Sequence, residues 1–355
     1  MRILAINRTQ MKFRSLLLSL LIAVFGIGPF GQSARAQTPT DQVDDVIRVE
    51  SDLTSLLFIA TDRNKRFITS LTETDLHLSE DNALQKIVSF QKETDRPLAI
   101  AFLIDVSASE EHMLPNEKAA VRSFIETVIK SSKDQAAIIP FTGGAYLEQD
   151  LTRDVFSLYR ALERVEVAVP NYLGTGKPLS GISSRPGTLR PPPEGSTAIW
   201  EAISLTIREV LAKKRNEPAR IEKRKAIILL TDGWDTSSRI NAQEVVKSAI
   251  ADETVIYAIG IGDSKRDGVD KHSLEEVAES TGGRAFFPKK EADLATAFSE
   301  IEQELRSQYL ITYSSTNKLR DGGFRKIRLS IINPQLQKEK IELRYRPGYV
   351  AKPLR

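Results

Sequence analysis

The sequence has no cysteine among its 355 residues and only three histidines. The absence of cysteine excludes disulfide bonds, thiol catalysis, thiolate metal sites and lipid attachment at a cysteine. The folded protein must therefore be held together by its hydrophobic core. Any metal ion must be held by oxygen ligands or by the three histidines, His77, His112 and His272.

The first 36 residues have the pattern of a secretory signal peptide. Basic residues precede an apolar segment from Leu16 to Ile27, and Ala34-Arg35-Ala36 forms an A-x-A cleavage site. An uncleaved membrane anchor is the alternative, but the apolar segment is shorter than the roughly 20 residues that a spanning helix needs. The sequence therefore predicts an exported protein, located in the periplasm, on the cell surface or outside the cell, with no membrane span after cleavage.

Removal of this leader changes the charge of the chain. The full sequence carries a net +3, but residues 1–36 contain five Lys or Arg and no acid, so the mature chain is near −2. A chain without net positive charge is a poor candidate for binding a phosphate backbone, which requires clustered Lys and Arg. We therefore expect no nucleic-acid partner.

The order of patterns along the chain predicts an α/β domain between two β segments. Residues 43–96 and 307–350 alternate apolar and polar residues, as antiparallel strands do. Between them, four apolar strands at 98–104, 135–141, 225–231 and 254–260 alternate with helical patterns, which is typical of a doubly wound, mostly parallel sheet. Because this domain begins and ends on the same face, the flanks should meet in one small discontinuous β domain.

Oxygen-bearing side chains follow two of the apolar strands and begin one helix. Asp105, Ser107 and Ser109 follow the first strand, Asp232 follows the strand at 225–231, and Thr197 lies in the first turn of a helix. In open α/β sheets, ligands bind outside the carboxyl ends of the strands. Two carboxylates and three hydroxyls form a hard, all-oxygen set that suits Mg²⁺, with Mn²⁺ or Ca²⁺ as alternatives.

These residues resemble the metal-ion-dependent adhesion site of the von Willebrand factor type A domain. That site combines a D-x-S-x-S run, here DVSAS with Ala108 in place of the usual glycine, with a separate Thr in GSTAIW and a separate Asp in LLTDGW. The flanking segments are similar to those of bacterial secreted members. The resemblance implies a domain over about 97–305, with Asp105 and Asp232 side by side on adjacent central strands.

The resemblance also implies a non-enzymatic binding protein, whose metal ion takes an Asp or Glu carboxylate from a protein partner. The Pro- and Gly-rich loop 170–196 would shape the rim of the site. A metal-dependent hydrolase is disfavoured because no general base is evident, and a structural envelope protein stiffened by the metal is a third possibility. Glu110 and Glu111 could orient metal-bound water, but a solvated helix start is favoured for them. Asp235 either supports the site or caps the next helix.

Overall fold

The computed structural model describes residues 53–92, 96–129, 133–168, 176–179, 196–212, 223–262 and 268–351. All of them belong to one compact unit, residues 50–355. The predicted leader, the start of the N-terminal β segment and most of the loop 170–196 lie outside the described residues. None of the helices within the described ranges is long and apolar enough to cross a membrane.

The N-terminal flank forms short strands with a buried and an exposed side. They are β1 (Leu53–Thr61), β2 (Leu76–Glu80), β3 (Ala83–Leu84) and β4 (Ile87–Lys92). In β2, the sequence LHLSE alternates buried Leu76, Leu78 and Glu80 with more exposed His77 and Ser79. This period of two places every second side chain on the same face of the strand.

Strands and helices alternate through the middle of the chain. They are β5 (Leu98–Asp105), α1 (Leu114–Val128), β6 (Gln135–Phe141), β7 (Tyr146–Leu147), β8 (Gln149–Thr152), α2 (Val155–Arg164), β9 (Lys177–Pro178), α3 (Ile199–Thr206), β10 (Arg224–Thr231), α4 (Ala242–Ala251), β11 (Thr254–Gly260), α5 (Lys271–Ser280), β12 (Ala285–Phe286) and α6 (Glu291–Arg306). The four predicted apolar strands correspond to β5, β6, β10 and β11.

The central sheet has the strand order β12-β11-β10-β5-β6-β8. Its strands are parallel except β8, which pairs antiparallel with β6 at one edge. The predicted adjacency of the first strand and the strand before Asp232 is confirmed, since Ile104 of β5 pairs with Leu230 of β10. The chain adds strands on one side of β5 first and on the other side afterwards, so the strand order reverses between β5 and β10. Doubly wound folds bind ligands at such a point.

Helices cover both faces of this sheet, so every residue of β5 is buried. Its even-numbered residues, such as Phe102, pack in one core with α1, α2 and α6, whereas Ala101 and Leu103 pack on the other side with α3, α4 and α5. A strand buried on both faces needs a continuous apolar run, which explains the sequence LAIAFLI. The predicted doubly wound fold is confirmed.

The C-terminal flank completes the β domain. Its elements are β13 (Tyr309–Ser314), β14 (Phe324–Ile331), α7 (Pro334–Lys338), β15 (Glu342–Tyr345) and β16 (Gly348–Val350). Strands from both flanks form two four-stranded antiparallel sheets, ordered β15-β1-β13-β4 and β16-β14-β2-β3. Their inner residues share one hydrophobic core, which includes Phe58, Leu78, Tyr309 and Leu329. The predicted discontinuous β domain is confirmed.

An ion pair connects this β domain to the last helix of the α/β domain. Glu304 of α6 is 1% exposed and lies 2.5 Å from the guanidinium of Arg344 in β15. Arg284, before β12, approaches the same carboxylate at 3.6 Å. Buried carboxylates need such partners, so the contact fixes α6 against β15.

Candidate metal site

The site begins where β5 leaves the sheet. Asp105 is the last residue of the strand and is fully buried. Its Oδ1 accepts a hydrogen bond from the Ser107 amide at 2.9 Å, and its Oδ2 accepts one from the Thr231 hydroxyl at 2.6 Å. Because Thr231 ends the adjacent strand β10, this second bond ties the two strand ends together.

The two serines continue from this strand end into a short turn. Ser107 precedes the 3₁₀ turn Ala108–Glu110, and its hydroxyl lies 2.9 Å from that of Ser109. Ser107 is 4% exposed, and Ser109 is half-buried. The turn therefore brings both hydroxyls of the D-x-S-x-S run to one place, next to Asp105.

Asp232 reaches the same place from β10. Its Oδ1 accepts a hydrogen bond from the Trp234 amide at 3.0 Å, and it is 9% exposed. Gly233 follows with φ +88°, a conformation that favours glycine. A Cβ at this position would lie 3.0 Å from the Asp270 carbonyl oxygen and 3.1 Å from the Leu274 side chain. The TDG sequence thus permits the turn that orients Asp232.

Thr197 lies just before α3, one residue ahead of its N-cap and not in its first turn as expected, and it is 5% exposed. Two neighbouring loops hold its backbone. The Thr197 amide donates to the Thr236 hydroxyl at 2.8 Å, and the Thr197 carbonyl accepts from the Thr236 amide at 2.9 Å. On the other side, the carbonyl of Thr142, after β6, accepts from the Ala198 amide at 2.8 Å. Thr197 is therefore positioned by the loops that follow both β6 and β10.

Of the two roles expected for Asp235, the structure agrees with support of the site. Its carboxylate accepts hydrogen bonds from the Trp200 amide at 3.1 Å and from the Ser238 hydroxyl at 2.5 Å. The Ser238 hydroxyl in turn accepts from the Glu201 amide at 3.0 Å. Asp235 therefore satisfies the amino-terminal end of α3, and it does not cap the following helix, α4, where Asn241 accepts from the Glu244 amide.

The expectation of a solvated Glu110 is wrong. Glu110 is fully buried, because the 3₁₀ turn folds its side chain inward. One of its carboxylate oxygens belongs to a cluster with oxygens of Asp105 and Asp232, all within 4.8 Å of one another. Among the described residues, no N–H or hydroxyl donor reaches either Glu110 oxygen, and its hydrogen-bonding neighbour is another acid, Glu117. Glu111 and His112, by contrast, are exposed.

Burial and like charges shape the ionisation of this cluster. Burial raises the pKa of Asp105 to about 6, against the hydrogen bonds from Thr231 and Ser107, which lower it. Burial also raises the pKa of Glu110, and the nearby charges of Glu117, Asp105 and Asp232 raise it further. Burial likewise raises the pKa of Glu117, which lies on α1. In the absence of a cation, the cluster thus resists full ionisation.

A divalent cation fits this donor set. Buried carboxylates in proteins are paired, hydrogen-bonded or bound to a metal, and Glu110 accepts from no N–H or hydroxyl group in the described part of the chain. Three carboxylates within reach of one ion would offset its charge, and carboxylate and hydroxyl oxygens are the ligands of Mg²⁺, Ca²⁺ and Mn²⁺. The assignment of Asp105, Ser107, Ser109, Thr197 and Asp232 as metal ligands stays a prediction.

Comparison with known proteins identifies the α/β domain. The family model of the von Willebrand factor type A domain matches residues 99–300, more than half of the chain. Mouse integrin alpha-X is 26% identical over 180 residues, which are 50% of this chain and 14% of the integrin. The chain thus spans a small part of that relative.

Among solved structures, the chain is similar to proximal thread matrix protein 1 from the mussel byssus. The TM-score is 0.46 and the identity 18%, over 64% of this chain and 51% of that one. A von Willebrand factor type A protein from Catenulispora acidiphila has a TM-score of 0.45 and 14% identity, and covers 80% of this chain and 71% of that one. On the strength of the family model, the chain belongs to the von Willebrand factor type A domain family.

Proposed function

We propose that this member of the von Willebrand factor type A family is an exported, non-enzymatic binding protein that captures a protein partner through a bound divalent cation. The observation that supports this is the cluster of buried carboxylates at the ends of β5 and β10. Asp105 and Asp232 would hold the cation directly or through water. Ser107, Ser109 and Thr197 would contact it through their hydroxyls.

The cation would supply a Lewis-acid position for an oxygen of the partner. Asp105 and Asp232 offset the charge of a dication, and the neutral hydroxyls leave that balance unchanged. Ser109 is half-buried, whereas Asp105 is fully buried, so the hydroxyl side is the one that a partner can approach. A carboxylate from an Asp or Glu of the partner is the hard anionic ligand that suits such an ion, and Mg²⁺ is the ion that we propose.

A non-enzymatic role agrees with the side chains near the cluster. A hydrolase needs a general base within hydrogen-bond reach of the attacking water. Asp105 and Asp232 are assigned to the cation, and His112, the histidine nearest in sequence, is exposed. The proposed export rests on the leader pattern in residues 1–36.

Affinity capture tests this function. The mature protein is used as bait in envelope extracts with Mg²⁺, and again with a chelator. The bait is the wild type, Asp105→Ala, or the control Glu275→Gln, which changes an exposed charge on α5. We expect a partner that is retained with Mg²⁺ by the wild type and the control, released by the chelator and lost with Asp105→Ala.

The rival functions predict other results. Undiminished capture in chelator, or by Asp105→Ala, would refute metal-dependent binding. Turnover of a phosphoester or peptide substrate that Asp232→Ala abolishes would favour a hydrolase. A Mg²⁺-dependent rise in melting temperature without any metal-dependent partner would favour a purely structural role.

A further inference from the structure

Glu110 is a buried acid without an identified role. It is 0% exposed, and no N–H or hydroxyl donor among the described residues reaches its carboxylate; the side chain within hydrogen-bonding range is that of another acid, Glu117. Leaving a buried ionised carboxylate unpaired is strongly unfavourable, so an unpartnered one requires a physical explanation. The five side chains carried over from the family pattern do not include it.

No basic side chain of the described residues that surround Glu110 balances its charge. The ionisable groups that act on it are Glu117, Asp105 and Asp232, which are all acids. Lys118, the nearest cation along α1, donates its ammonium hydrogens to the carbonyl oxygens of Glu163 and Val165. The charge of Glu110 is therefore not offset by a salt bridge in this part of the fold.

The position of Glu110 explains its burial. Its carboxylate oxygen shares a 4.8 Å cluster with oxygens of Asp105 and Asp232, so one ion can reach all three residues. The residue lies at the end of the turn that carries Ser107 and Ser109, so the same backbone segment presents hydroxyls and a carboxylate. Since Glu110 is fully buried, it approaches from the protein side and leaves the partly exposed side free.

We propose that Glu110 is a further ligand of the cation, which gives the site three carboxylates in place of two. This inference rests on the proposed function, because it concerns the same ion. Two consequences follow from the added ligand. The site has a net charge of −1 with a dication bound, and it offers six protein groups when the three hydroxyls are counted.

These consequences change the expected ion preference. Mg²⁺ usually keeps several waters and binds one or two carboxylates, whereas Ca²⁺ takes six to eight oxygen ligands in flexible geometry. A third carboxylate therefore strengthens the binding of Ca²⁺ more than that of Mg²⁺. The extra negative charge also weakens the attraction for a partner's carboxylate, so Glu110 would lower the affinity of the site for the partner.

Glu117 provides a matched control. Like Glu110, it is 0% exposed, and neither of its carboxylate oxygens accepts from an N–H or hydroxyl group of the described residues. It does not belong to the cluster formed by Asp105, Glu110 and Asp232, although its carboxyl lies beside that of Glu110. Glu117→Gln thus replaces an equally buried neighbouring acid without removing a proposed ligand. Glu110→Gln is nearly isosteric and removes a buried charge, so we expect the variant to fold.

The experiment is calorimetric titration of the metal-free mature protein with Ca²⁺ and, separately, with Mg²⁺. We compare the wild type, Glu110→Gln, Glu117→Gln and Asp105→Ala, with circular dichroism melts to establish folding. Glu110→Gln should weaken Ca²⁺ binding by roughly tenfold to a hundredfold and Mg²⁺ binding by less, because ligand charge sets the affinity of such sites. Glu117→Gln should stay within about threefold of the wild type.

Other results would refute either the role of Glu110 or the metal site itself. Wild-type Ca²⁺ affinity in folded Glu110→Gln would overturn the role of Glu110 as a ligand, as would an equal loss in Glu117→Gln, which would indicate a general effect of buried charge. If Glu110→Gln does not fold, Glu110→Asp replaces it, with the same expected loss because the shorter side chain withdraws the oxygen. Failure of the wild type to bind either ion, or wild-type binding by Asp105→Ala, would instead refute the proposed metal site itself.

Discussion

Replacing Asp105 with asparagine should stabilise the metal-free protein at neutral pH. Asp105 is fully buried, and burial raises its pKa from 3.8 to about 6. That rise corresponds to about 3 kcal/mol of unfavourable free energy for the ionised group at pH 7, at about 1.4 kcal/mol for each pH unit. Asparagine has no charge to bury, so most of this penalty disappears.

The hydrogen bonds of Asp105 reduce the expected gain. Its two oxygens accept from the Ser107 amide and from the Thr231 hydroxyl. Asparagine keeps one acceptor, so one of these bonds is lost or reversed, at about 1 kcal/mol. The net stabilisation of metal-free Asp105→Asn should thus be about 2 kcal/mol at pH 7.

The stability difference between Asp105→Asn and the wild type should depend on pH. Because the folded-state pKa of Asp105 is raised, the wild type loses stability as the pH rises from about 4, near the unfolded value, to about 6. The advantage of the variant should therefore be full above pH 6 and absent near pH 4. Divalent cation reverses the order, since the wild type gains stability by binding the ion and the variant gains far less.

Urea denaturation measures the free energy of unfolding of both proteins under three conditions: with a chelator at pH 7, with a chelator at pH 4, and with excess Mg²⁺ at pH 7. A metal-free variant that is less stable than the wild type at pH 7 would refute the assignment of Asp105 as a buried, destabilising charge. Equal stabilisation of both proteins by Mg²⁺ would refute its role as a ligand.

Two further substitutions, each with a control variant, test the turn after β10 and the contact between α6 and β15. Gly233→Ala should destabilise the protein by about 1 to 3 kcal/mol, because φ +88° and the contacts at 3.0 and 3.1 Å both oppose a Cβ. Gly268→Ala, at φ +72° with no atom within 4 Å of its Cβ, should cost less, and equal urea midpoints for the two variants would contradict this explanation. Glu304→Ala should cost about 1 to 3 kcal/mol, since it removes the buried carboxylate that pairs with the partly exposed guanidinium of Arg344. Glu302→Ala, which breaks an i,i+4 pair within α6, should cost less than about 1 kcal/mol in the same thermal melts.

The sequence predicts the central sheet well because burial on both faces imposes continuous apolar runs. The run Leu98–Asp105 is apolar at nearly every position, and its length of 8 residues favours a buried strand over a buried helix. In the two flanks, the alternation of apolar and polar residues predicted strands that are buried on one face only. The meeting of the two flanks followed from the direction of the parallel strands, and it is seen in the pairing of β1 with β13.

The site was only partly predictable from the sequence. The neighbouring positions of Asp105 and Asp232 follow from strand order, but the burial of Glu110 depends on how a three-residue turn folds. Glu110 and Glu111 have the same chemistry in sequence, and only the tertiary structure buries the first and exposes the second. The support of Thr197 by Thr236 spans 39 residues, which no local pattern reveals. The spacing of Asp235 and Ser238 was the one available signal, since it is typical of a side-chain-capped turn.

The measurement that tests the metal site most directly is equilibrium dialysis of the mature protein against Mg²⁺, followed by elemental analysis. The wild type should retain one divalent ion per chain, and both Asp105→Ala and Asp232→Ala should retain none while staying folded. A folded wild type that retains no Mg²⁺, Ca²⁺ or Mn²⁺, or alanine variants that retain as much as the wild type, would contradict a metal site at the ends of β5 and β10.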